Sequence, residues 1–172
     1  MCIRDSSNQD WTFPTTTYYG PGRFNEIAKF CEEFDIKNPL IVTDSGSKDL
    51  PFIKKLIALL SKNNIKSDLF YNISPNPRDD EISKGCDQFK NGSHDSIIAI
   101  GGGSAMDGGK SICLTVNSET PLWDFEFEQP VPKITKENAF PKIITVPTTA
   151  GTGAETEITA MVTHLEKGMK FC

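Results

Sequence analysis

The sequence predicts an α/β fold: an open, mostly parallel sheet with helices on both faces. Three observations carry this. Short apolar runs alternate along the chain with longer segments of helical spacing. The runs Leu40–Thr43, Ser96–Ile100 and Ile143–Val146 lack polar alternation, as strands buried on both faces do. The run through Ile100 ends in Gly101-Gly102-Gly103-Ser104, which opens a helix-compatible segment. Strand, tight turn and helix N-terminus then follow one another in a Rossmann-like order.

Residues 1–10 are polar and patternless and read as a leader, foreign to the domain or disordered. The domain is read as 11–172, truncated at its C-terminal end, because no cap or stop signal precedes Cys172. Trp11 to Tyr19 is rich in threonine and aromatic residues and predicts a strand. Gly20-Pro21-Gly22 is a turn. Phe24, Ile27, Ala28, Cys31 and Phe34 recur at helical spacing, predicting a helix over about 23–34. Leu40 to Thr43 is a short buried strand that ends at Asp44. Phe52, Ile53, Leu56, Ile57, Leu59 and Leu60 form the apolar side of a helix over about 48–63.

Ser67 to Ile73 reads as the next parallel strand, stopped by Pro75-Asn76-Pro77. Asp79-Asp80-Glu81 puts acid in the first turn of a helix to about 91, where the helix dipole favours it. Ser104 is expected to be the N-cap of a helix to about 116. Between 117 and 141 the prolines Pro121, Pro130, Pro132 and Pro141 break the pattern, which reads as a surface excursion. Ile143–Val146 is a strand, Pro147–Glu155 a small-residue turn, and Thr156–Val162 a further strand.

Right-handed crossovers collect the strand C-termini on one edge, where ligands of such sheets sit. Asp44, Gly101–Ser104 and Thr148–Gly153 converge there. The glycine turn offers unpaired N–H groups at a helix N-terminus, an anion site. The dipole supplies only about 0.3–2 kcal/mol, so phosphate binding also needs backbone hydrogen bonds. The turn is neither G-x-G-x-x-G nor a P-loop, and a plain strand-to-helix turn is the other reading. Asp44 suits a ribose diol and repels a 2′-phosphate, or else forms an Asx turn. Thr148, Thr149 and Thr152 offer uncharged donors for a diphosphate or carboxamide, or are ordinary turn residues. Asp107 caps the first helical turn or faces the cleft. Lys110 screens phosphate or is a solvated helix lysine, the second being favoured. His94 and His164 lack a partner at metal spacing and read as surface residues. With no nucleophile–base pair visible, no catalytic residue is assigned.

Composition narrows the function classes. A net charge of −5, spread over 172 residues, lacks the basic face of a nucleic-acid binder. No run of 18 apolar residues exists to span a membrane, and the N-terminus has no secretory apolar core. The cysteines Cys2, Cys31, Cys86, Cys113 and Cys172 form no C-x-x-C pair. Reduced, mostly buried thiols in a cytoplasmic protein account for them better than a disulfide framework or zinc knuckle.

Gly101-Gly102-Gly103-Ser104-Ala105-Met106-Asp107-Gly108-Gly109-Lys110, together with Pro147-Thr148-Thr149-Ala150-Gly151-Thr152-Gly153-Ala154-Glu155, resembles the iron-containing (group III) alcohol dehydrogenases. Tyr19-Gly20-Pro21-Gly22, Val42-Thr43-Asp44 and Pro75-Asn76-Pro77 agree in order and spacing, so the resemblance covers about residue 11 to the end. It implies an N-terminal dinucleotide-binding α/β domain, with the family's C-terminal all-helical domain missing here. It implies hydride transfer between NAD(P) and a small alcohol or aldehyde. A divalent metal, usually Fe2+ and sometimes Zn2+, would polarise the substrate oxygen in the full-length protein.

Carried over by resemblance, Asp44 is the adenosine-ribose ligand and Asn76 a nearby cofactor contact. Gly102, Gly103 and Ser104 form the pyrophosphate turn, with Asp107 beside it. Thr148, Thr149 and Thr152 form the second cofactor loop, and Met161 and Lys170 are later contacts. The family's metal ligands, one Asp and three His, fall outside this chain, so none is assigned. The resemblance further implies a cytoplasmic homo-oligomer when full-length, with neither nucleic acid nor membrane as partner.

This sequence departs from the family pattern at two further points. Arg78 stands where a threonine is common, which bears on the adenine side. Gly108 and Gly109 each cost a helix about 1 kcal/mol relative to alanine, and close helix–sheet packing is the expected compensation. Two relatives of different chemistry share the fold. Dehydroquinate synthases usually carry Asp-x-x-Gly-Phe where this chain has Asp107-Gly108-Gly109-Lys110, and glycerol dehydrogenases usually have lysine at the position of Ser104. A third reading is a non-catalytic NAD-binding fragment. Asp44 predicts NAD over NADP.

Overall fold

The computed structural model describes residues 15–130, 132, 133 and 140–172. The leader and residues 11–14 lie outside the described residues. Four parallel strands make the main sheet: β1 (Pro39–Asp44), β2 (Asp68–Ile73), β3 (Ser96–Gly101) and β4 (Lys142–Pro147). Four helices accompany them: α1 (Ile27–Glu33), α2 (Pro51–Lys62), α3 (Asp79–Asn91) and α4 (Gly103–Thr115).

The uninterrupted apolar runs of β1 and β3 follow from helix layers on both faces. Side chains alternate across a strand. Leu40, Val42, Ile97 and Ala99 enter one core with Ile82, Phe89, Met106 and Ile112 of α3 and α4. Ile41, Ile98 and Ile100 enter the other with Cys31, Ile53, Leu56 and Leu60 of α1 and α2. Neither face of these strands meets water, so neither face carries the polar residues of a half-exposed strand.

The strand order is β2-β1-β3-β4, with Leu40 beside Ile97 and Ile98 beside Ile144. From β1 the chain moves outward one way through α2; from β3 it moves the other way through α4. The connections therefore diverge between β1 and β3, opening a crevice at their C-terminal ends. Asp44 ends β1 and Gly101 ends β3.

Gly108 and Gly109 explain how α4 sits. A Cβ on Gly109 would come 2.6 Å from the Cβ of Ala99, and one on Gly108 would come 2.7 Å from Ile73 Cδ1. The helix lies directly on the sheet, and the expected close packing is the compensation for its two glycines.

Several expected elements differ. Residues 15–19 form no strand; Tyr18 instead stacks on Phe30 with ring centroids 4.2 Å apart. The first helix opens as a 3-10 turn over Arg23–Glu26 before becoming α-helical. The strand expected over Thr156–Val162 is reduced to β5 (Val162–His164), paired antiparallel with β6 (Met169–Phe171). Residues 156–161 are bound instead by side chains, as described below. Ser104 is not the N-cap: the helix already starts at Gly103, and the Ser104 hydroxyl donates to the Pro75 carbonyl at 2.6 Å.

The excursion after α4 contains a 3-10 turn over Leu122–Phe125. Cys31 and Cys113 are buried free thiols, and burial pushes them up to about 11 and about 12. Among the described residues, no helix is long and apolar enough to cross a membrane.

Candidate functional site

The crevice is built by the glycine turn. Gly101 has φ +147°, and a Cβ there would lie 2.8 Å from the Cβ of Ala105 and 3.1 Å from Asp44 Oδ2. Only glycine lets the turn close against both the first residues of α4 and the acid ending β1. Thr43, fully buried, fastens the same corner: its hydroxyl donates to the Ile100 carbonyl at 2.7 Å. Asp44 accepts from the Ser47 hydroxyl at 2.7 Å through Oδ2. A carboxylate has about four acceptor positions, so capacity for a diol remains. Ser47 N–H also donates to the Asp44 main-chain carbonyl at 3.1 Å, so Asp44 opens a local turn.

The second loop is tied to the first. Thr148 N–H donates to the Gly101 carbonyl at 2.8 Å. Thr149 lies 3.6 Å from where a Gly102 Cβ would sit, and Thr152 lies 3.0 Å from the corresponding position at Gly103. These threonines therefore cover the glycine turn, and Thr148, Thr149 and Thr152 are exposed to solvent.

Asn76, exposed, accepts from Lys170 Nζ through Oδ1 at 3.3 Å, linking the loop after β2 to β6. The Met161 main chain hydrogen-bonds the Asp107 carboxylate, and Lys170 is close enough to act on the same group. Burial pushes the Asp107 carboxyl above its ordinary range, against the opposing pull of Lys110. The candidate residues thus form two neighbouring groups. Asp44, Gly102, Gly103, Thr148, Thr149 and Thr152 line the turn, whereas Asn76, Ser104, Asp107, Met161 and Lys170 knit the flanking loops together.

Three readings require correction. Lys110 is not a solvated lysine: its side chain is 15% exposed, and Nζ donates to main-chain carbonyls at Ala154, Glu157 and Thr159. His94 is buried, not at the surface, with Nδ1 3.0 Å from the Asn38 carbonyl and Nε2 3.4 Å from Asp68. His164 stacks on Trp123 with ring centroids 4.5 Å apart, its Nδ1 3.6 Å from Asp79. Both histidines are packing residues, and their isolation in sequence gave no sign of it.

Arg78 is engaged by Asp80 at 2.9 Å and Glu81 at 3.4 Å. Among the described residues, no group of three or more His, Cys, Asp or Glu is arranged to hold a metal. An apolar hollow of about 430 Å³ lies beside α4, lined by Leu114, Trp123, Phe127, Phe140 and Ile158 among others. It contains none of the predicted cofactor residues.

Comparison with known proteins agrees with the fold and the motifs. A family model described as iron-containing alcohol dehydrogenase matches residues 14–172. The 1,3-propanediol dehydrogenase of Klebsiella pneumoniae is 29% identical over 164 residues, 94% of this chain and 41% of that protein. The NADH-dependent butanol dehydrogenase A of Clostridium acetobutylicum is 30% identical over 163 residues, 94% of this chain and 40% of its own length. The crystal structure of sulfoacetaldehyde reductase from Bifidobacterium kashiwanohense in complex with NAD+ superposes with a TM-score of 0.84 at 27% identity, covering 96% of this chain and 43% of that one. The chain spans about two-fifths of the length of the curated relatives it matches.

Proposed function

The chain belongs to the iron-containing alcohol dehydrogenase family, and on that premise we propose that residues 11–172 are the NAD-binding domain of an enzyme moving hydride between NAD(H) and a small alcohol or aldehyde. The single observation that carries the reading is the meeting of Asp44 with the Gly101 turn at the crevice between β1 and β3. The relatives support it: one is a 1,3-propanediol dehydrogenase, one is NADH-dependent, and one was solved with NAD+.

In this reading the Asp44 carboxylate accepts the adenosine-ribose hydroxyls. The N–H groups of Gly102, Gly103 and Ser104 face the diphosphate at the start of α4. Thr148, Thr149 and Thr152 close over the cofactor from the second loop, and Asn76, Met161 and Lys170 border it from the far side. The family name carries iron, but the described residues offer no donor set for it. A cytoplasmic location and self-association of the full-length protein belong to the same proposal. So does the reading of residues 1–10 as a leader outside the domain.

Titrating the full chain with NADH and NADPH, followed by nicotinamide fluorescence, tests it. NADH is expected to bind more tightly. Asp44→Asn is expected to weaken NADH by about tenfold and erase the preference, since a hydrogen bond to a charged group is worth about 1.5–3 kcal/mol. Tighter binding of NADPH by the unmodified chain would overturn the assignment of Asp44.

A further inference from the structure

Residues 153–161 form no helix and no strand, yet several of their main-chain carbonyls are engaged by side chains from elsewhere. The Ala154 carbonyl accepts from Lys110 at 2.9 Å, and the Glu155 carbonyl from Thr145 at 2.9 Å. The Thr156 carbonyl accepts from Thr15 at 3.3 Å, the Glu157 carbonyl from Lys110 at 3.3 Å, and the Thr159 carbonyl from Lys110 again. Side chains do here what a ladder does in a sheet. Lys110 supplies most of the bonds, and all from one atom.

An ammonium group has three N–H donors. At Lys110 each can meet a carbonyl of this segment, and Asp107 Oδ1 stands 3.5 Å away to balance the charge. The ammonium is thereby saturated, which argues against direct contact with a phosphate. Asp107, one helical turn earlier, accepts from the Met161 main chain. The two side chains project from one face of α4 and hold opposite kinds of backbone group: the base takes carbonyls and the acid takes an N–H. Because α4 is pressed onto the sheet through Gly108 and Gly109, the anchor is rigid. The anchored segment continues directly from Thr148–Gly153, the threonine loop over the glycine turn.

We propose that Lys110, backed by Asp107, is a positioning residue that clamps residues 154–161 and so sets the second cofactor loop over the glycine turn. The consequence for ligand affinity rests on the NAD reading above; the clamp itself does not. Lys110 touches no reacting atom. Its role predicts a split between ligands. ADP ends at the diphosphate beside the glycine turn, whereas NAD carries a second nucleoside onward beneath the second loop, so NAD depends on that loop more.

The test compares the full chain with Lys110→Met by amide hydrogen exchange and by calorimetric titration with ADP and NAD. In the variant, amides of 154–161 are expected to exchange at least tenfold faster while those of β1 and β3 keep their protection. NAD affinity is expected to fall about tenfold, with ADP within twofold of the unmodified chain. If Lys110→Met fails to fold, as lost protection in β1 and β3 would reveal, Lys110→Gln is read instead: it keeps two N–H donors and should give an intermediate release of the loop. Unchanged exchange in 154–161 overturns the clamp. Equal weakening of ADP and NAD overturns its selective role. Failure of the unmodified chain to bind either nucleotide overturns the NAD reading instead, and the exchange data still decide the clamp.

Discussion

The two loops at the crevice are held in place by different means. The first, Gly101–Gly103, is fixed by its own backbone. It lies between a strand buried on both faces and a helix pressed to the sheet, and its one unusual dihedral is supplied by glycine. The second, from Thr148 to Met161, has little regular structure and is tied down by side chains from elsewhere: Thr15, Thr145, Asp107 and Lys110. A turn of the first kind is rigid because its neighbours in sequence are rigid. A loop of the second kind is only as ordered as its tethers, so it can be released without unfolding the sheet.

The largest effect should come from the shared anchor. Gly109→Leu would drive a side chain into Ala99, where even a Cβ lies 2.6 Å away. Overpacking at its upper range costs about 3 kcal/mol, and a thermal melt should show a fall in Tm of roughly 6–12 °C. Both loops would be lost together; an unchanged Tm would show that α4 does not bear directly on the sheet.

Next is Gly101→Ala, which combines a φ of +147° with the Ala105 contact. A loss of about 2 kcal/mol in urea unfolding is expected, together with loss of ADP and NAD affinity alike. That pattern is the converse of the one expected for Lys110→Met, and finding the same pattern for both would erase the distinction between the loops.

The smallest effect concerns pH. Burial holds the Asp107 carboxyl above its ordinary 3.8, so the folded chain keeps a proton there that the unfolded chain releases. Its contribution to stability therefore falls as pH rises from 3.8 through the raised value. Asp80 has the opposite sign: hydrogen bonds from Arg78 and Lys84 hold it below 3.8, so its contribution is present above that value and lost as pH falls. Urea midpoints measured upward from the acid side should lose the Asp107 component in Asp107→Asn and retain the Asp80 component. A pH profile unaltered by Asp107→Asn would remove the carboxylate from the description of the second loop.

Much of the first loop was legible in the chain because its causes are local. Ile97 to Ile100 is apolar throughout, three glycines follow, and helical spacing resumes, each a property of adjacent residues. The second loop was harder to read. Thr156 to Val162 has the composition of a strand, yet carbonyls in it are taken by residues 47 to 141 positions away, counting from Glu157–Lys110 and Thr156–Thr15. His94 and His164 illustrate the same limit. A histidine packed against Phe89 or Trp123 differs in no local way from one at the surface.

The sequence by itself determined the alternation of strand and helix, the apolar runs that must be buried on both faces, the glycine turn opening α4, and the family to which these motifs point. Those properties follow from residue type and spacing, which act over one turn of helix or one strand. Only the tertiary structure decided the strand order β2-β1-β3-β4, the identity of Ile73 and Ala99 as the residues that Gly108 and Gly109 meet, and the employment of Lys110. These depend on which distant surfaces meet, and a lysine's destination is set by the carbonyls that the rest of the fold brings within its reach.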